Sequence, residues 1–129
     1  MTKGKIILAP FPFTDLTSSK VRPALCLSEQ IGEHNQIVIA FISSKVDKEL
    51  EETDFILDSK AIWFPETGLK VKSVLKVHKL ITTEKAYIKA KTGELPPFVL
   101  REVDEKLKLL FGLNHNSSES FSKECEVLQ

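Results

Sequence analysis

The sequence predicts a mainly β fold with one α element: a small, strongly bent antiparallel sheet or barrel closed on one side by a C-terminal helix. Three observations predict it. Short apolar segments recur at close spacing through the first two thirds of the chain, separated by Pro, Gly, Asn and Asp turn residues. Residues 97–111 then change to helical period. The 129 residues suit one domain with one sizeable hydrophobic core.

The elements follow in order. Residues 4–9 form a short strand ended by Pro10. Residues 23–29 form a second, in which Ala24-Leu25-Cys26-Leu27-Ser28 is apolar enough to be buried on both faces. Glu33-His34-Asn35, after Gly32, is a turn. Residues 36–43, QIVIAFIS, are a β-branched third strand, and the acidic run 45–54 is a loop. DFILD at 54–58 is a short strand, and 61–69 is a long turn whose aromatics lie on the core. Residues 71–79 return to strand, with Lys76 and His78 on one face and Leu75 and Val77 on the other. A further short strand falls around 86–91. In the helix, Val99, Leu100, Val103, Leu107, Leu110 and Phe111 make one apolar stripe. Pro96-Pro97 suits its first turn and Gly112 its stop. The tail from Asn114 is polar, Ser-rich and net acidic, the composition of a disordered segment. The domain is therefore read as 1–113, with 114–129 as tail.

Formal net charge is zero, which excludes a protein that coats nucleic acid through bulk charge but allows a local basic groove. Charge is unevenly placed. Residues 47–58 hold six acids and one base, while 70–91 hold seven lysines and one acid. Cys26 lies in an apolar strand and Cys125 in the polar tail, so no disulfide framework is expected and a reduced cytosolic setting fits. Three scattered histidines give no zinc spacing. The start MTKGKIILAPFPF is too short and Pro-broken for a secretory signal, and no segment is long enough to span a bilayer.

The residues that can carry chemistry gather in a few places. Arg22 is one of two arginines against sixteen lysines, and it precedes a buried strand beside the hydroxyl-rich loop Thr14-Asp15-Leu16-Thr17-Ser18-Ser19-Lys20. A guanidinium there is a fixed fork of donors for a phosphate, although a surface ion pair with Asp15 or Glu29 is the plainer alternative. Ser43 and Ser44 end the third strand, where a turn serine is also ordinary. Lys76 and His78 on one strand face favour an anion and can move a proton near neutral pH, but the same pair suits a solvated strand. His34 in a turn and His115 in the tail look incidental. Phe11, Phe13, Trp63 and Phe64 can stack on unpaired bases, with core packing the better reading for most of them.

Several of these segments together resemble the PemK/MazF family of bacterial toxin endoribonucleases. The matching residues are Lys5-Ile6-Ile7-Leu8, Pro10-Phe11-Pro12-Phe13-Thr14-Asp15-Leu16, and Lys20-Val21-Arg22-Pro23-Ala24-Leu25. To these add Ile39-Ala40-Phe41-Ile42-Ser43-Ser44, Gly68-Leu69 and Ser73-Val74-Leu75-Lys76-Val77-His78-Lys79-Leu80. The resemblance implies an SH3-like antiparallel β-barrel with a C-terminal helix, of the PemK/MazF/CcdB type, that forms a homodimer. It implies the toxin of a type II toxin–antitoxin pair, a cytoplasmic, metal-independent and sequence-selective endoribonuclease with no cofactor. The substrate is single-stranded RNA, the partner a cognate antitoxin lying over the RNA groove.

By the same resemblance Arg22 is a principal catalytic residue and Ser43 a hydroxyl donor near the scissile phosphate. Lys76 and His78 stand where some members carry an arginine and an aspartate as acid and base, a departure that leaves their assignment open. Thr14, Asp15, Ser18, Ser19 and Lys20, with Ser44 and Lys79, flank the RNA groove in this reading. Two rivals remain: a non-enzymatic gyrase-poisoning toxin of the CcdB type, and an RNA-binding module that has lost catalysis.

Overall fold

The computed structural model describes residues 2–11, 20–46 and 50–113. They form strands β1 (Lys5–Phe11), β2 (Lys20–Cys26), β3 (Gln36–Ser43), β4 (Asp54–Leu57), β5 (Ser73–Glu84) and β6 (Ala90–Glu94), then helix α1 (Pro97–Phe111). Every strand pairing is antiparallel, in the order β4-β5-β3-β2-β1-β6, and the sheet curls into a half-barrel with α1 on one face. The mainly β expectation with one terminal helix is met. Phe13, the loop residues Thr14, Asp15, Ser18 and Ser19, Cys125, His115 and the tail 114–129 lie outside the described residues.

Both faces of the sheet bury apolar side chains, sorted by the two-residue period of the strands. On the helix side, Ile6, Leu25, Ala40, Ile42, Leu75 and Val77 meet Val99 and Val103 of α1, with Leu57, Phe64 and Leu95 closing the margins. On the other side, Ile7, Ala9, Phe11, Ala24, Cys26, Ile37 and Ile39 form a second cluster, flanked by Phe41, Ile81 and Ile88. Phe11 and Phe64 are thus core residues, and Trp63 packs half-buried against the helix-side cluster.

The bounds of four strands depart most from the sequence expectation. β1 runs through Pro10 to Phe11, because its ladder to β6 ends at Leu8–Ala90 and Pro10, opposite Val21 of β2, lies where β1 has become an edge. β2 begins at Lys20 and stops at Cys26, so Arg22 is its third residue and lies inside the strand, not at its mouth. Beyond Cys26 the Leu27 N–H still donates to the Val38 carbonyl at 2.8 Å, and the Val38 N–H is taken by a side chain, Ser28 Oγ, at 3.0 Å. β5 continues to Glu84, since residues 80–84 pair with 36–40 of β3, and this delays β6 to 90–94.

The helix bounds agree with the expected ones. Pro97 occupies the first turn, and Gly112 at φ 67° turns its N–H back to the carbonyls of Leu109 and Lys108. The apolar stripe is shorter than expected, for Phe111 is exposed. The turn at Phe64–Thr67 is pressed against β6: at Gly68, φ 73°, an added Cβ would stand 2.1 Å from the Thr92 carbonyl oxygen. Among the described residues no helix is long and apolar enough to cross a membrane.

Candidate active site

The site is built on one row of paired residues. Asp54 of β4 pairs with Lys76 of β5, and Lys76 pairs with Phe41 of β3. Phe41 in turn pairs with Ala24 of β2. Residues in register share a face, so Asp54, Lys76, Phe41 and Ala24 all project on the side away from α1. Ser43, two residues beyond Phe41, and Arg22, two residues before Ala24, fall on that same face by alternation. The β2–β3 register, continued by two residues, sets Arg22 opposite Ser43. The polar candidates therefore gather at one end of the second cluster, where Phe11 and Phe41 meet with ring centroids 5.4 Å apart.

A bulge shapes the middle of this row. The β3–β5 register jumps from Ala40–Leu80 to Phe41–Lys76, so Val77, His78 and Lys79 face no residue of β3. Such an excess bends a strand and re-aims its side chains. Val77 keeps its place in the helix-side core, and His78 turns to the polar face with Lys76. Lys79, next along the strand, brings its ammonium 5.7 Å from the Phe41 ring centroid.

Asp54 opens β4, where the acidic run 45–54 meets the expected strand 54–58, and the sequence reading does not single it out among those acids. Its side chain is 0 % exposed. Oδ2 lies 2.8 Å from Lys76 Nζ, whose side chain is 14 % exposed, and also accepts the Glu51 N–H at 2.9 Å. Oδ1 has no hydrogen-bond partner among the described residues and lies 3.9 Å from His78 Nδ1, on a side chain 36 % exposed. The Lys76 charge is thus held by a buried carboxylate, and the imidazole sits at the boundary between that carboxylate and solvent. The available signal for Asp54 is its place as the acid that opens the short strand DFIL, on the face opposite Phe55 and Leu57.

The other candidates are placed as follows. Arg22 is exposed on β2. Glu29, one of its possible ion-pair partners by sequence, instead receives the Thr2 and Lys3 N–H groups at 2.6 and 3.1 Å. These two bonds hold its carboxyl below the usual range. Ser43 Oγ accepts the Lys45 N–H at 3.1 Å and donates weakly to the Lys45 carbonyl at 3.5 Å, so it ends its strand as a turn serine while keeping a proton that can be redirected. Ser44 is exposed just after it, and Lys20 is exposed at the start of β2. His34 is remote from this row, 3.8 Å from Glu84. Cys26 is fully buried, and burial pushes its thiol up to about 11, which removes it as a nucleophile. Among the described residues no three His, Cys, Asp or Glu side chains group as metal ligands would.

Comparison with known proteins adds the following. The family described as "PemK-like, MazF-like toxin of type II toxin-antitoxin system" matches residues 2–111. Among solved structures, the chain is similar to the Mycobacterium tuberculosis toxin MazF-mt6, with TM-score 0.65 and 20 % identity over 85 % of this chain and 98 % of that one. It is also similar to an "Endoribonuclease in complex with its cognate antitoxin from Mycobacterial species", with TM-score 0.63 and 14 % identity over 88 % and 97 % of the two chains. No curated protein sequence matches it.

Proposed function

Since the chain belongs to the PemK-like, MazF-like toxin family of type II toxin–antitoxin systems, we propose that it is a metal-independent, sequence-selective endoribonuclease acting on single-stranded RNA. The observation that carries this reading is the shared face of Arg22, Ser43 and His78, at one end of a curled sheet with two aromatic rings beneath it. The ribose 2′-OH gives up its proton and attacks the adjacent phosphorus, the P–O5′ bond breaks, and the leaving oxygen takes a proton from solvent water. The products are a cyclic phosphate and a free 5′-OH. That reaction needs a proton acceptor, a proton donor for the leaving oxygen and fixed positive charge at phosphorus. His78 takes the 2′ proton. Arg22 meets the charge that builds on the phosphoryl oxygens, and Ser43 donates to one of them.

Lys76 acts here through Asp54, whose charge it balances at 2.8 Å, more than through a phosphate of its own. Lys20, Ser44 and Lys79, with Thr14, Asp15, Ser18 and Ser19 of the loop, flank the RNA path. The cognate antitoxin covers the same groove, and a homodimer sets two such grooves in one particle.

Incubation of the purified protein with single-stranded RNA in EDTA tests the reading. Cleavage with 5′-OH ends is the expected result. Gyrase inhibition without cleavage would replace it with the CcdB-type alternative, and RNA binding alone with the non-catalytic one.

A further inference from the structure

Asp54 offers a carboxylate whose two oxygens are treated differently. Oδ2 is fully engaged by Lys76 Nζ and the Glu51 N–H. Oδ1 is buried with no hydrogen bond from any described residue, and the nearest ring nitrogen is His78 Nδ1, 3.9 Å away. A buried carboxylate oxygen without a donor is costly, because folding has removed its water. The separation exceeds a direct hydrogen bond, so a bond between the two requires the ring to turn toward Oδ1.

We propose that Asp54 is the positioning residue for His78, accepting the His78 Nδ1–H and leaving Nε2 as the nitrogen that takes the ribose 2′ proton. This rests on the nuclease reading above. A carboxylate can only accept, so a neutral imidazole facing Oδ1 carries its proton on Nδ1. Its lone pair is then on Nε2, at the outer edge of the ring. Lys76 balances the Asp54 charge from the other side, so the dyad does not bury a naked carboxylate. Lys79, from the same bulge, keeps its ammonium near the Phe41 ring. The bulge is what makes the geometry: it frees His78 from the β3 ladder while the Asp54–Lys76 pair anchors the strand on its other side.

The test is the imidazole nitrogen NMR spectrum of the ¹⁵N-labelled full chain under alkaline conditions where imidazoles are neutral, with the His78 signals assigned by their loss in His78→Gln. The wild type should show the Nδ1–H tautomer at His78, and Asp54→Asn should shift it toward Nε2–H. Single-turnover cleavage by Asp54→Asn should fall ~10- to 100-fold with little change in RNA affinity. Adding Asp54→Asn to His78→Gln should cost nothing further. An Nε2–H tautomer in the wild type overturns the proposal, and needs no variant that might misfold. So does a folded Asp54→Asn protein with an unchanged tautomer, or a double variant much slower than His78→Gln. Wild-type protein that cuts no RNA overturns the nuclease reading instead, and the tautomer spectrum still decides the role of Asp54.

Discussion

The two faces of the sheet are made from the same strands and do different things. The face under α1 carries Ile6, Leu25, Ile42, Leu75 and Val77, large side chains closed over by Val99 and Val103. The opposite face carries small ones, Ala9, Ala24 and Cys26, between isoleucines and phenylalanines, and ends in the row Asp54, Lys76, His78 with Arg22 and Ser43. β5 shows the division within four residues: Leu75 and Val77 enter the helix-side core while Lys76 and His78 turn the other way. The lesson is that period two lets one strand supply a closed core and a chemical surface at once. The closed core holds the strands so that polar groups on the other face can be kept in fixed positions.

The ways to break that division begin with Lys76. Lys76→Met leaves Asp54 buried without its cation, and breaking such a pair typically costs ~3–5 kcal/mol. We expect a clear fall in the denaturant midpoint with an unchanged m-value. A midpoint like that of the wild type would mean that the pair contributes nothing to the fold.

The next concerns Cys26, at the base of the second cluster. With its thiol at about 11, only about a thousandth would be thiolate at pH 8 even if reagent could reach it. In a Cys125→Ser background, Cys26 should resist alkylation in the native protein and react fully once denaturant is added. Rapid native labelling would show that the cluster opens far more often than its burial implies.

The smallest effect lies at the edge of the sheet. Glu29 in the folded protein titrates below its ordinary 4.5 because it accepts the Thr2 and Lys3 N–H groups. The sign follows from linkage: this contribution is complete above the ordinary value and is lost as pH falls through the lowered one. Glu29→Gln should therefore lower the melting temperature slightly near neutrality and make no difference once the carboxylate is protonated in acid. An equal gap at both pH values would remove the charge from the account.

How much of this was legible in the sequence depends on how local the cause was. The bounds of β3 and α1 were readable because their periodicity is strong over eight and fifteen residues and Gly112 marks the helix end. The extension of β5 through Leu80–Glu84 was missed although Leu80, Ile81, Thr82 and Thr83 suit a strand; what the sequence alone did not show is that β3 offers them partners at 36–40. The shared face of Lys76 and His78 followed from alternation, but the bulge at 77–79 that brings Lys79 onto Phe41 did not. Asp54 was hidden for the plainest reason. It lies among the acids that run from 47 to 58, and the lysine that gives it meaning is 22 residues away. The family resemblance supplied Arg22 and Ser43 from local motifs, and it had no local motif for a carboxylate whose partner comes from another strand.

The central claim is that the polar end of the face opposite α1 performs the cleavage. Single-turnover cleavage of saturating single-stranded RNA in EDTA, by the wild type, Arg22→Ala and His78→Gln, tests it most directly. The account predicts that both variants keep the wild-type melting temperature, since Arg22 is exposed and His78 is at the surface. It also predicts that Arg22→Ala loses on the order of 10²-fold or more in rate and that His78→Gln loses a comparable factor. Folded variants that cleave at the wild-type rate would contradict it, and would move the chemistry away from this face of the sheet.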